Sequence, residues 1–322
     1  MIESSFGVQA VILAFAWFFV VNLLACVATV ALMRRYERRR VKLSAGQWFS
    51  LRMLPASSAF AFVLVIFVPS YWQFEPREAV EAVDLTLTLC AIGAVATLAI
   101  AAYRGVSTWG AAGLRTRAWM RTSRPLALPG TKIPAFEVDS DAPVLALAGI
   151  VRPRLLVTRA LIDALTREEL AASVAHEIGH WDALDNLKRL VMRAAPDLFG
   201  ATASAHTIER GWAAASEHSA DRLASDGQPA SRCALASALV KVARLTPVAR
   251  PLTEPISTLI GGGDIASRVR SLLDDGARSD VAPGAHSRWL IAGTAGVALA
   301  TTYTPMLRAA HMATEALVHF LP

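Results

Sequence analysis

The sequence predicts a mostly α-helical membrane protein with a small β-hairpin or sheet. Three observations carry that expectation. Of 322 residues, 54% are hydrophobic and only 18% are charged, too apolar for an ordinary soluble domain. The apolar residues gather into long runs near both ends of the chain. Between the runs, residues 125–288 return to a mixed composition with helical periodicity and turn residues, the pattern of one soluble domain.

Val8 to Met33 exceeds the roughly 20 residues that cross a bilayer. Glu3 precedes it where a signal peptide would carry basic residues, and the run is too long for a signal-peptide core. Arg34, Arg35, Arg38, Arg39, Arg40 and Lys42 follow, which places that end in the cytoplasm by the positive-inside rule. Ala56 to Phe74 is the second expected span, with Pro69 inside it and Tyr71 and Trp72 near an interface. Glu75, Glu78, Glu81 and Asp84 come next against Arg77 alone, which suits the outer side. Leu85 to Tyr103 is the third span, and Arg104, Arg115, Arg117, Arg121 and Arg124 return the chain to the inside. This alternation accounts for much of the net charge of +6, so the basic loops read as orientation signals and anionic-lipid contacts, with no nucleic acid as partner. Residues 1–124 thus form the membrane region, 125–288 a cytoplasmic domain, and 289–322 a fourth span to about Leu307 with a short tail. Cys26, Cys90 and Cys233 match no disulfide framework and no cysteine metal site.

Within the soluble domain, Pro125 to Pro134 reads as a linker and Phe136 to Val138 as a strand. Val144–Ile150 and Leu155–Thr158 form a hairpin around Val151-Arg152-Pro153-Arg154. It either serves as structure alone or offers an edge to an extended peptide. Thr166-Arg167-Glu168-Glu169 is a capping box that opens a helix with an apolar face at Val174, Ile178 and Trp181. The helical pattern continues through Leu187 and Ala194 until Pro196. Ile208 to Ser225 is another helix, stopped by Asp226-Gly227. Ser231–Leu245 is amphipathic. Pro247, Pro251 and Pro255 mark an irregular loop, and Gly261-Gly262-Gly263 a hinge before Asp264, which caps a helix through Val269 and Leu273.

The chemistry centres on His176-Glu177-Ile178-Gly179-His180. Histidines four apart share one helix face, so both imidazoles reach a single ion. Glu177 is then placed to take a proton from a water at that ion. Gly179 either leaves room for another segment to approach the metal or is an ordinary weak point of the helix. A catalytic zinc needs a third protein ligand and one open position. Glu217 supplies the ligand and Asp221, one turn on, orients the imidazole of His176. His218 is the rival ligand, pointing about 100° away from Glu217. His206 reads as a loop residue. Asp182 and Asp185 either support the site from behind or lie at the surface, with at least one of them surface.

Gly149–Val157, Leu165–Leu170, His176–His180 with Asp185-Asn186-Leu187, and Glu217–Asp221 together resemble the membrane-embedded gluzincin peptidases. Two groups are similar: the β-lactam-sensing antirepressor peptidases of the BlaR/MecR type, and the HtpX and CAAX-prenyl protease group. The resemblance covers about residues 140–275. It implies a zincin-like metallopeptidase domain, one Zn²⁺ per chain on His176, His180 and Glu217, and Glu177 as general base. It also implies a protein or peptide substrate cut at the inner membrane of a bacterium. No sensor domain is expected after the last apolar run, and so no direct antibiotic sensing. No tyrosine lies between Tyr103 and Tyr303, which leaves His206, His218 or Arg222 as candidate oxyanion donors. The rival reading is a signalling or scaffold protein with a closed structural zinc site that cuts nothing, or only itself.

Overall fold

The computed structural model describes residues 6–76, 84–128, 131, 133–139, 143–150, 152–245, 257–258, 264–274 and 303–316. Three helical segments are long and apolar enough to cross a membrane: Phe6–Arg38, Ala45–Phe74 and Leu85–Arg121. Each is longer than its apolar run. α1 (Phe6–Arg38) continues into Arg34, Arg35 and Arg38, whose charge suits the C-terminal end of the helix dipole. α2 (Ala45–Ala61) starts at a capping box in which Ser44 and Gln47 bond each other's backbone. It passes through a π segment, Phe62–Phe67, into α3 (Val68–Phe74). Pro69 explains the irregularity: it has no N–H for the carbonyl of Val65, four residues earlier. The Tyr303 hydroxyl donates to that carbonyl instead, at 2.7 Å. α4 (Leu85–Arg121) runs well past Tyr103, because its second half has a sheet to cover.

That sheet has five strands in the order β1-β2-β4-β3-β5. β2 (Ala135–Val138) pairs parallel with β4 (Arg154–Thr158), and β3 (Leu145–Ala148) pairs antiparallel with β4. Gly149 makes the β3–β4 turn at φ +98°, where a Cβ would lie 2.5 Å from the Arg152 carbonyl oxygen. The stretch expected as a linker contains a strand: β1 (Arg124–Leu126) pairs antiparallel with β2. Its proline hides the signal, which is tolerable only because β1 is an edge strand. β5 (Ser257–Thr258) closes the other edge beside β3.

The side chains alternate across the sheet. Leu145, Leu155 and Val157 point into the main core with Leu161, Val174, Leu235 and Leu239. Ala146, Ala148 and Leu156 face the other way, onto Ala112 of α4, with Trp119 and Met120 alongside. The core helices are α5 (Arg159–Ala164), α6 (Arg167–Asp182), α8 (Ala203–Ser225), α9 (Pro229–Leu245) and α10 (Ile265–Leu273).

The helical run expected to extend from the His-Glu motif to Pro196 is broken. α6 ends at Asp182, Leu184 adopts φ +56°, and α7 (Asp185–Arg193) starts in a new direction. Leu184 has no sequence signal for this, being neither Gly nor Asn.

After α7 the chain crosses to α8 through a connector held by all three apolar helices. Asn22 of α1 donates to the Pro196 carbonyl at 2.9 Å, and Arg104 of α4 to that of Ala195 at 2.8 Å. Arg52 of α2 donates to the Met192 carbonyl at 3.0 Å and to the Asp197 carboxylate at 2.7 Å. These side chains satisfy carbonyls in the last turn of α7 and in the connector. Cys26, Met33, Leu51, Phe199, Ala205 and Ile208 pack together beside them. The expected Pro247–Pro255 loop, the Gly261–Gly263 hinge and residues 289–302 of the expected fourth span lie outside the described residues. A last helix, α11, covers residues 303–316 and so extends beyond Leu307.

Candidate metal centre

α6 is fixed at its start before it presents any chemistry. The Thr166 hydroxyl accepts from the Glu169 N–H, and the Glu169 carboxylate accepts from the Thr166 N–H at 2.8 Å. The same carboxylate accepts from Ser237 and Lys241 of α9, at 2.6 and 2.7 Å. Two and three turns later, α6 carries His176, Glu177 and His180, all at most 1% exposed.

α8 crosses α6 at Gly179. A Cβ on Gly179 would lie 3.3 Å from the Ala220 Cα, so the glycine sets how near the helices come. Glu217 and Asp221, flanking Ala220 on α8, reach the two imidazoles. The Nε2 atoms of His176 and His180 are 3.2 Å apart. The Glu217 carboxylate lies 3.5 Å from one and 3.6 Å from the other. Donors about 2.1 Å from one ion in a tetrahedron are about 3.3–3.5 Å from each other, so this donor set has the dimensions of a zinc site.

The other ring nitrogens are already engaged. His176 Nδ1 lies 2.9 Å from Asp221 and His180 Nδ1 2.8 Å from Asp185. The Ser216 hydroxyl also donates to Asp185. With a proton held on each Nδ1 by a carboxylate, both Nε2 lone pairs face the same point. The sharp turn at Leu184 is what returns Asp185 to His180. Asn186 anchors that turn, donating to the carbonyls of Leu147 and Gly149 at 3.1 and 3.3 Å.

The cluster's electrostatics call for positive charge. Glu177, Asp185, Glu217 and Asp221 are each 3% exposed or less. Burial alone would raise the carboxyls of Asp185, Glu217 and Asp221, yet hydrogen bonds from the imidazoles and the field of nearby cations hold all three below their ordinary values. Burial likewise opposes charge on His176, but Asp221 and Glu217 outweigh it and lift the imidazole to about 9.

Arg268 of α10 supplies part of the charge. It is 1% exposed, hydrogen-bonds Asp221 through two nitrogens at 2.6 and 2.8 Å, and forms an ion pair with Glu217 at 2.8 Å. Burial opposes its charge, but these carboxylates raise its pKa further. Sequence reasoning passed over Arg268. Its signal was an arginine three residues after Ile265 and four before Leu272, on the apolar face of the helix. Arg189 stacks on Trp212 with its guanidinium carbon 5.6 Å from the ring centre, within the field of Glu217, Asp185 and Glu177.

The remaining candidates lie elsewhere. His218 is half-buried and outside the three-donor group. His206 is exposed and sits in the first turn of α8, not in a loop, with Nδ1 2.9 Å from the Thr202 carbonyl oxygen. Arg222 and Asp182 are exposed.

Residues 115–257 match the model of Peptidase family M48. This segment is similar to the peptidase domains of that family. The match spans the His-Glu motif and Glu217–Asp221, and it begins inside α4, where that helix meets the sheet. Kinship with the HtpX group is consistent with an M48 domain, while the BlaR/MecR type is not singled out. No curated protein matches the chain. M48 peptidases are zinc metalloproteases, and the His176–His180–Glu217 group beside three apolar helices suits a membrane metallopeptidase.

Proposed function

We propose that this protein is an integral-membrane zinc endopeptidase that hydrolyses a protein substrate at the inner face of a bacterial cytoplasmic membrane, in regulatory signalling or membrane-protein quality control. The observation that carries the proposal is the meeting of two Nε2 atoms and one carboxylate at tetrahedral spacing, with Glu177 buried beside them on the same helix. In this reading His176, His180 and Glu217 hold one Zn²⁺. The ion supplies Lewis acidity that polarises the scissile carbonyl and makes a water easier to deprotonate.

The protein's own groups do the rest. Glu177 accepts the proton of the attacking water and passes it to the leaving amine. Asp221 and Asp185 keep the histidine protons on Nδ1 and hold each ring in place. Arg268 balances the charge of Asp221 and Glu217. The basic ends of α1 and α4 support a cytoplasmic position for the domain, which residues 125–288 would form.

A closed structural zinc site needs a fourth protein ligand. His218 is outside the group, and Asp221 is committed to His176 and Arg268, which favours the enzyme. The test is cleavage of a peptide library by the zinc-loaded, full-length protein in detergent. Glu177→Gln should retain zinc and lose cleavage; undiminished cleavage by that variant would rule the mechanism out. The same variant, expressed in cells, should trap substrates for identification by mass spectrometry.

A further inference from the structure

A second group of metal-binding side chains lies at the far end of the apolar helices. The Phe6 carbonyl, at the start of α1, accepts from the Tyr71 hydroxyl, while Met33, near the other end, packs with Phe199 and Ile208 of the peptidase segment. Glu75 follows Tyr71 by four residues, directly after α3 ends at Phe74. It is therefore separated from the catalytic group by much of the length of α1, which at 33 residues is about 50 Å.

α11 brings two more ligand types to Glu75. His311 and Glu315 are four apart on that helix and so share one face. One ligand atom each from Glu75, His311 and Glu315 lies within 4.8 Å of the other two. His311 Nδ1 is 3.7 Å from the Glu75 carboxylate, close to the roughly 3.3–3.5 Å between ligands of one tetrahedral ion. The Glu75 side chain is only 5% exposed, and the Phe74 ring lies 5.9 Å from the His311 ring, walling one side of the group. The helix that carries the pair is itself docked. Ser70 donates to the Leu307 carbonyl at 2.7 Å, Tyr303 to Val65, and Trp17 to the Thr314 hydroxyl at 3.2 Å.

From this we infer that Glu75, His311 and Glu315 form a second binding site for a divalent transition metal, with zinc the natural probe. The donor set supports that class: one imidazole suits zinc better than calcium or magnesium, and two carboxylates neutralise a 2+ charge. The ligands come from two elements distant in sequence, so the cation fastens α11 to the end of the second apolar helix. Binding there is independent of catalysis at His176.

The experiment uses the full-length protein in detergent with His176→Ala and His180→Ala already in place, so that the catalytic group contributes nothing. Zinc bound after equilibrium dialysis is counted by elemental analysis. One equivalent is expected, and adding His311→Gln should weaken its binding by at least tenfold. Glu315→Gln, which keeps shape and removes charge, should also weaken it, and serves if His311→Gln fails to fold. No zinc in the double-alanine background, or a bound equivalent untouched by folded His311→Gln or Glu315→Gln protein, overturns the inference without touching the proposed peptidase activity.

Discussion

Arg52→Met is expected to destabilise the protein by about 3–5 kcal/mol, the range for removing one partner of a buried ion pair. Arg52 is 1% exposed and the Asp197 side chain is fully buried against it at 2.7 Å. Glu209 lies 3.1 Å from the same guanidinium, and the Met192 carbonyl accepts from it at 3.0 Å. Methionine fills most of the volume, so the cost is electrostatic: one buried carboxylate without its counter-charge and the Met192 carbonyl, in the last turn of α7, without its donor. Adding Asp197→Leu removes the orphaned charge, so the double variant should be clearly more stable than the sum of the two single losses. Asp197 also accepts from the Gly200 N–H, which sets a limit to the rescue. Denaturant unfolding in detergent, followed by tryptophan fluorescence, measures all four proteins of the cycle. A loss under about 1 kcal/mol for Arg52→Met, or strict additivity, would refute the claim that this contact joins the apolar helices to the peptidase segment.

Four further variants test the contacts around α6. Asp185→Asn keeps an acceptor for His180 but removes the charge, and should weaken zinc binding about 10–100-fold in competition with a chelator. Gly179→Val should push α8 from α6 and cost about 1–3 kcal/mol along with zinc affinity, measured by unfolding and by chelator competition. The smaller Gly179→Ala should stay within about 1 kcal/mol of the parent, because its helix propensity offsets the tight contact. Glu169 has its carboxyl held below the ordinary range, against the opposing effect of burial, by Lys241, Ser237 and the Thr166 N–H. A depressed carboxyl stabilises above its unfolded pKa and stops doing so as pH falls through its folded pKa. Glu169→Gln should therefore cost about 1 kcal/mol at neutral pH, and the gap to the parent should close in acid unfolding series.

The three apolar helices were legible in the sequence because a soluble domain rarely holds uncharged apolar runs as long as a bilayer is thick. α6 was legible because a capping box and a helical repeat agreed at Thr166–Glu169. What stayed hidden depended on contacts between distant segments. β1 contains a proline and is recognisable as a strand only once β2 lies beside it. The α6–α7 break sits at a leucine with positive φ, a conformation imposed by the return of Asp185 to His180 and of Asn186 to β3. α4 outran its apolar run because Ala112 and Trp119 cover a sheet that lies later in the chain. Arg268 drew no notice because its role depends on α10 packing its apolar face against α8 and α9, which carries the arginine onto Asp221.

The spacing of Glu217 from the two imidazoles decides the account more than any other distance. The most direct measurement is zinc content, by elemental analysis after gel filtration in metal-free buffer, of the full-length protein and its Glu217→Ala variant. A drop of one equivalent per chain in the folded variant is the predicted result. Equal zinc in the two proteins would contradict the claim that α6 and α8 meet around a single ion.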